Sequence, residues 1–215
     1  LFAAQLNDTH PSIAVAELAI GFMIALARAI PTTTASMRAG KWEKKKFEGD
    51  EIGGKTLGIV GIGNIGKEVA KRAVALGMEG GVYDPYAAAP DHLAKVGLDD
   101  LLAQADYITF HMPLTDETRC MIDAAAFTKM KPGVRIINCA RGGIVDEDAL
   151  YDALVSAKVA GAALDVYAQE PCEGHKLFTL EQVIGSPHIG AAPREAQERT
   201  GAGVGAQLGE VYDQF

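Results

Sequence analysis

The sequence predicts an α/β fold: a doubly wound parallel sheet with flanking N-terminal helices. Three observations predict it. From residue 56 onward, short apolar runs alternate with stretches of helical periodicity. One strand-to-helix junction, "GIVGIGNIGKEVA", carries Gly61, Gly63 and Gly66. No repeat or low-complexity linker interrupts the alternation. Strands alternating with helices form βαβ units, with helices on both faces and right-handed crossovers.

The elements follow in order. Residues 12 to 30 read as a helix that Ser12 can cap and Pro31 ends. Ala, Leu and Met lie on nearly every side of it, so burial on several faces and a place at a subunit contact are expected. Thr32 to Ala39 reads as a second helix, and residues 40 to 55 as a polar connector. In that connector, "KWEKKKF" reads as a solvated basic face anchored by Trp42 and Phe47. The alternative is that Lys44 and Lys45 meet a phosphorylated substrate across a subunit interface.

Next come the strand "TLGIVG", a helix over Asn64 to Leu76, and a weak strand "GGVYDP". Gly80 and Gly81 should weaken that strand, where branched side chains are usual. Residues 87 to 96 and 98 to 104 read as helical, and "YITFHMP" as a strand. Asp123 caps a helix to Met130, "VRIINCA" is a strand, and Asp146 to Ala157 is a helix. "AGAALDVY" and "VIGSPH" are strands, and Arg194 to Tyr212 is a final helix.

With 215 residues, 48% apolar and a net charge of -8, the chain suits one large domain, or one domain with appended helices, with a sizeable core. The acidic balance excludes a nucleic-acid partner and an anionic membrane surface. Cys120, Cys139 and Cys172 show no CxxC spacing, so no disulfide framework and no metal site are expected, and a reducing cytoplasm fits. Glu17 and Arg28 interrupt the most apolar segment, so no membrane span is expected. No signal peptide is visible, and the first residue is Leu1, as in a piece of a longer chain.

The glycine loop points to chemistry because of its context. Gly61 permits a tight turn, Gly63 lets a pyrophosphate approach the backbone, and Gly66 lets the helix pack on the sheet. Free N–H groups near Asn64 and Ile65 then face the phosphates. Asp84 lies 18 residues after Gly66, at the end of the next strand. A carboxylate there accepts from ribose hydroxyls and repels a 2′-phosphate, which favours NAD over NADP. The fold is thus Rossmann-like, and a glycine-rich turn without a ligand is the bland alternative.

In such a sheet, ligands bind beyond the carboxyl ends of the strands. Arg141, Glu170 and His188 each follow a predicted strand, so all three reach one rim. Arg141 suits a substrate carboxylate. His188 can exchange a proton with an alcohol oxygen, and Glu170 can bond its other nitrogen and orient the ring. Taken singly, each is more simply an exposed charge. Their convergence beside a dinucleotide loop argues otherwise. Asp165 either bonds the nicotinamide carboxamide or fixes the loop. His10, His92 and His175 are weak candidates in surface contexts, and His111 reads as a packing residue.

These residues spell a resemblance. "AVAELAIGFMIALARAIP", "LGIVGIGNIGKEVAKRAVALGM", "NCARGGIVDE", "AGAALDVYAQEP" and "SPHIGA" resemble the D-isomer-specific 2-hydroxyacid dehydrogenases, over almost the whole chain. The likeness is strongest to the branch that oxidises 3-phosphoglycerate. The resemblance implies Arg141, Glu170 and His188 as the catalytic trio and a small 2-hydroxy acid as substrate. It implies NAD contacts at Gly61, Gly63, Asn64, Ile65, Gly66, Asp84, Met112, Cys139, Ala140, Arg141, Asp165, His188, Gly190 and Ala191. It implies a homodimer or higher homo-oligomer using the 12–30 helix.

It also implies a division into a helical connecting segment (1–55), a nucleotide-binding core (56–191) and a C-terminal helix (192–215). The family's separate substrate domain is absent from this chain. Ala192 and Pro193 replace a usual serine and threonine. The stretch from Lys95 to Asp100 looks short, so an edge strand is expected to be missing. The rival classes are a glyoxylate or hydroxypyruvate reductase and a non-catalytic NAD(H)-sensing binding protein.

Overall fold

The computed structural model describes residues 12–198 except residue 92. His10, His92, the first eleven positions and the final helix beyond residue 198 lie outside the described residues. The C-terminal helix begins as expected, with residues 194–198 helical.

Seven strands form one parallel sheet. They are β1 (Thr56–Val60), β2 (Glu79–Tyr83), β3 (Ala94–Lys95), β4 (Tyr107–Phe110), β5 (Val134–Asn138), β6 (Val159–Leu164) and β7 (Val183–Gly185). Their spatial order is β3-β2-β1-β4-β5-β6-β7, every pair parallel. The order runs outward from β1 in both directions, so the switch point lies between β1 and β4. Crossovers α3 (Asn64–Ala75), α4 (Leu98–Gln104), α5 (Ala124–Lys129) and α6 (Glu147–Val155) cover its faces.

Side chains alternate across the sheet as the pleat requires. Val60, Ile108, Phe110 and Ile136 join a core with Leu102, Phe127 and Leu150 on one face. Leu57, Ile59, Tyr107 and Ile137 join a second core with Val69, Ala73 and Met23 on the other. Asp123 caps α5 through the Ala126 N–H at 2.8 Å. Asp146 caps α6 through the N–H groups of Asp148 and Ala149 at 3.0 and 3.1 Å.

Several expectations need correction. The two helices expected over 12–30 and Thr32–Ala39 are present, but the boundary between them is shifted: α1 spans Ser12–Ala27 and α2 spans Ile30–Arg38, bent by 62° from each other. Ala29 turns the chain in a left-handed conformation, φ 48°. Pro31 stands in the first turn of α2, where its missing N–H has no helical partner to lose. The proline therefore opens the second helix instead of closing the first. Ser12 belongs to the helix, and its buried Oγ has no partner among the described residues.

The described residues between 87 and 96 form no helix, because Pro90 pushes its predecessor out of the helical region. Ala94 and Lys95 pair instead with Gly81 and Val82. The edge strand expected to be missing is present, two residues long. Finally, Trp42 is 81% exposed and anchors nothing, while Phe47 is half-buried with Lys46 Nζ 5.5 Å from its ring centroid.

α1 packs on α3 and on β5 and β6, with Ala16, Ala19 and Met23 fully buried. Only Ile13, Glu17 and Gly21 are exposed along it. The two glycines of β2 have a steric cause. A Cβ on Gly80 would overlap the Leu57 carbonyl of β1, and one on Gly81 would stand 3.2 Å from a Val96 methyl. Gly80→Ala should destabilise the chain by about 2 kcal/mol or more through this overlap. Urea unfolding measures it, and an unchanged midpoint would show that β1 and β2 can separate freely.

Candidate functional site

The glycine loop leaves β1 at the switch point. Gly61 has φ 95°, a conformation a side chain resists, and its N–H donates to Tyr83 O at 2.8 Å. A Cβ on Gly66 would overlap the Gly61 carbonyl, so the start of α3 lies hard against the turn. Space beside Gly63 is open. No side chain caps α3, which leaves its first N–H groups free for an anion. Asp84 follows β2. Its Oδ2 accepts from Ile62 N at 2.9 Å, and its Oδ1 from Tyr86 N and Ala87 N at 2.8 Å each. Burial opposes its charge, but the N–H groups of Ala87, Ile62 and Tyr86 outweigh that and hold its pKa below the usual value. A carboxylate has about four acceptor positions, so room remains for a hydroxyl.

The strand ends β5, β6 and β7 deliver the other groups. His188 Nδ1 lies 2.8 Å from Glu170 Oε2. Glu170 Oε1 accepts from Tyr167 N at 3.0 Å. The bond to His188, with smaller help from the Tyr167 N–H and the Arg141 charge, lowers the Glu170 pKa. His188 has φ 54°, a strained backbone for a residue with a side chain. Asp165 holds it there. Asp165 is fully buried at the end of β6, and its Oδ1 accepts from Ile189 N and its Oδ2 from Gly190 N, both at 2.8 Å. The Ser186 hydroxyl bonds the same carboxylate. Of the two roles open to Asp165, these contacts are those of a loop clamp.

Arg141 Nη1 donates to Ala140 O at 2.6 Å and leaves its remaining donors free to meet a ligand. Its turn is shaped by Asn138, which the sequence reading did not single out. Asn138 is buried, donates to Arg141 O at 3.0 Å and accepts from Ala140 N at 3.1 Å. A polar residue closing an otherwise apolar strand was the available signal. Gly142 lies so close to Tyr167 that a Cβ would overlap the Tyr167 carbonyl. The loops after β5 and β6 therefore touch backbone to backbone.

A cleft of about 410 Å³ joins these parts. It is lined by Asn64, Ile65, Met112, Pro113, Cys139, Ala140, Arg141, Asp165, His188, Gly190 and Ala191, with Ser12, Val15 and His111. Arg141 and His188 thus share one wall system with the glycine loop. Gly61, Gly63, Gly66 and Asp84 continue from it at the β1 and β2 ends. A larger cavity of about 730 Å³ lies on the far side of the pair, between Tyr167, Glu170, Phe178 and His188. His188 lines both cavities, and Glu170 lines the larger one. Cys139 is buried in the cleft, which raises its thiol pKa and keeps it protonated. His111 lies on the cleft, not merely in the core. Its Nε2 is 2.9 Å from Thr109 Oγ1, and its buried Nδ1 has no partner among the described residues. Free helix N–H groups, an open glycine and an orphaned imidazole nitrogen fit a dinucleotide. Among the described residues no cluster of His, Cys, Asp and Glu could hold a metal.

The profile of the D-isomer specific 2-hydroxyacid dehydrogenase NAD binding domain matches residues 20–190. D-3-phosphoglycerate dehydrogenase of Methanocaldococcus jannaschii is 47% identical over 207 residues, covering 93% of this chain and 39% of its own length. Hydroxypyruvate reductase of Thermotoga maritima is 51% identical over 191 residues, covering 87% of this chain and 62% of its own. The structure of NAD-dependent formate dehydrogenase from Staphylococcus aureus in complex with NAD superposes with a TM-score of 0.88 at 31% identity, covering 97% of this chain and 63% of that one. The chain therefore spans between about two fifths and about three fifths of the length of the relatives it matches.

Burial pushes the His111 pKa down from 6.5 to about 3. The unfolded chain takes up that proton first, so stability is full above about pH 6.5 and is lost as pH falls toward 3. Between pH 7 and 5 this group should cost about 2 kcal/mol. Urea titrations at both pH values check it, and His111→Gln should lose correspondingly less than the wild type.

Proposed function

The chain belongs to the D-isomer specific 2-hydroxyacid dehydrogenase family, as its NAD-binding domain, and on that premise we propose that it is the cofactor half of an enzyme oxidising 3-phosphoglycerate to 3-phosphohydroxypyruvate, the entry to serine biosynthesis. The observation that carries this reading is His188 on the same cleft as Arg141, with its Nδ1 held 2.8 Å from Glu170. The relative named D-3-phosphoglycerate dehydrogenase supports the substrate. Hydroxypyruvate is the second reading, favoured by the T. maritima relative at 51% identity.

Each side chain has a definite task in this proposal. Bound NAD supplies the hydride acceptor, with its pyrophosphate held by the N–H groups at Asn64 and Ile65 and its adenosine ribose by Asp84. Arg141 grips the substrate carboxylate with its free donors and polarises the neighbouring carbon–oxygen bond. His188 Nε2 takes the alcohol proton in oxidation and returns it in reduction, while Glu170 holds Nδ1 and balances the positive ring. Gly190 and Ala191 leave the nicotinamide end of the cleft unobstructed. We further propose that a separate substrate domain, outside this chain, closes over the rim and excludes water. The enzyme is placed in the cytoplasm, where its three free cysteines would stay reduced.

A homodimer completes the proposal. Met37 and Trp42 are exposed and line one groove beside α2, and Ile13 and Ile30 are exposed at the start of α1 and of α2. Adjoining exposed apolar side chains of this kind mark contact surfaces. Trp42→Glu should shift sedimentation of the complete protein from dimer toward monomer. A dimer of unchanged affinity would place the interface elsewhere.

The substrate reading is tested by steady-state assays of the complete protein with 3-phosphoglycerate, glycerate and lactate. 3-Phosphoglycerate should give the highest kcat/KM, and Lys44→Ala with Lys45→Ala should raise its KM if those lysines meet the phosphate. Preference for glycerate would favour the hydroxypyruvate reading. His188→Ala should lower kcat by about 100-fold or more and leave NADH affinity within a few-fold. Retained turnover would exclude the acid–base role.

A further inference from the structure

We propose that Glu147 is a positioning residue for the acid–base pair, an inference that rests on the reading of Glu170 and His188 given above. Glu147 opens α6, yet its carboxylate faces away from that helix's own cap. Oε1 accepts from Ala168 N at 2.7 Å, and Oε2 lies 3.1 Å from His175 Nε2. Leu177 N donates to His175 Nδ1 at 3.3 Å. That bond occupies Nδ1 as an acceptor, so the ring proton is on Nε2 and points at Glu147. One carboxylate therefore fastens both ends of the segment from 168 to 175.

Glu170 lies inside that segment. Its own ties are Tyr167 N and His188, at 3.0 and 2.8 Å. Nothing else among these contacts fixes the height of the loop above the rim. The neighbouring Lys176–Asp148 pair is exposed, at 43% and 85%, and such pairs hold little. The Glu147 side chain is only 15% exposed and His175 25%, so their contact is better sheltered than the Lys176–Asp148 pair, while the bond from Ala168 N lies at the surface. The Tyr167 carbonyl against Gly142 sets one side of the loop, and Glu147 sets the other. Misplacing a reacting group by about 1 Å costs on the order of 100-fold in rate. Glu147 lines no part of the dinucleotide cleft. Its loss should therefore reach turnover and not cofactor affinity.

The test uses the complete protein and compares Glu147→Ala, Glu147→Gln, His175→Ala, Glu170→Gln and the double variant Glu147→Ala/Glu170→Gln. Glu147→Ala should lower kcat by about 10- to 100-fold with NADH Kd within about twofold. The pH limb of kcat/KM should move in the direction it moves in Glu170→Gln. Glu147→Gln keeps an acceptor for Ala168 N and should recover part of the rate. His175→Ala releases one end only and should give a smaller loss of the same kind. The double variant should be no slower than Glu170→Gln alone. Wild-type kcat in Glu147→Ala and His175→Ala, or losses that multiply in the double variant, would overturn the inference. Should Glu147→Ala fail to fold, Glu147→Gln and His175→Ala decide it by the same readouts. Wild-type turnover in Glu170→Gln would instead sink the reading of the pair itself.

Discussion

A buried carboxylate with no ion-pair partner among the described residues holds the rim together. Asp165 is fully enclosed, and it is tolerated because its oxygens accept from Ile189 N, Gly190 N and the Ser186 hydroxyl. Those donors belong to the loop after β7, whereas the carboxylate belongs to the end of β6. The link therefore crosses from one strand end to the next. It supports the left-handed backbone at His188 and so aims the imidazole at Glu170. Without it, a strained residue on a loop would relax, and the pair would lose its geometry.

Close backbone packing does the same work between the other strand ends. Gly142 admits the Tyr167 carbonyl, so Arg141 and Glu170 come from loops that touch directly. Tyr167 then spans the next gap, with its hydroxyl 3.0 Å from both Leu164 O and Ser186 O. Burial pushes its pKa to about 12, so it stays a donor at every working pH. The rim is thus a series of short backbone-level links between β5, β6 and β7. The charged side chains stand on those links.

Legibility followed the origin of each constraint. The spacing of Gly61, Gly63 and Gly66 is dictated by a phosphate and a helix, both local, and can be read in thirteen letters, "GIVGIGNIGKEVA". Arg141, Glu170 and His188 became legible once parallel strands were inferred, because strand ends share an edge. Asp165 stayed ambiguous, since a carboxylate at a strand end can face a ligand or its own loop. Glu147 was hidden because its partners, Ala168 and His175, lie some twenty or more residues away. Pro90 was local and readable, yet the alanine run around it suggested a helix. Trp42 shows the weakness of hydrophobicity as a guide to burial, for aromatic residues serve both cores and surfaces.

The two outermost strands set the terms on which copies of this molecule can meet. β3 has two residues and β7 has three, and Lys95 bends back from the first to bond Ala87 O at 2.8 Å. Neither margin offers a ladder long enough to template a foreign strand, and a lysine on a short margin adds repulsion. The sheet thus limits its open edges by shortness, without being a barrel. Contact between copies is then left to side chains on the helical faces.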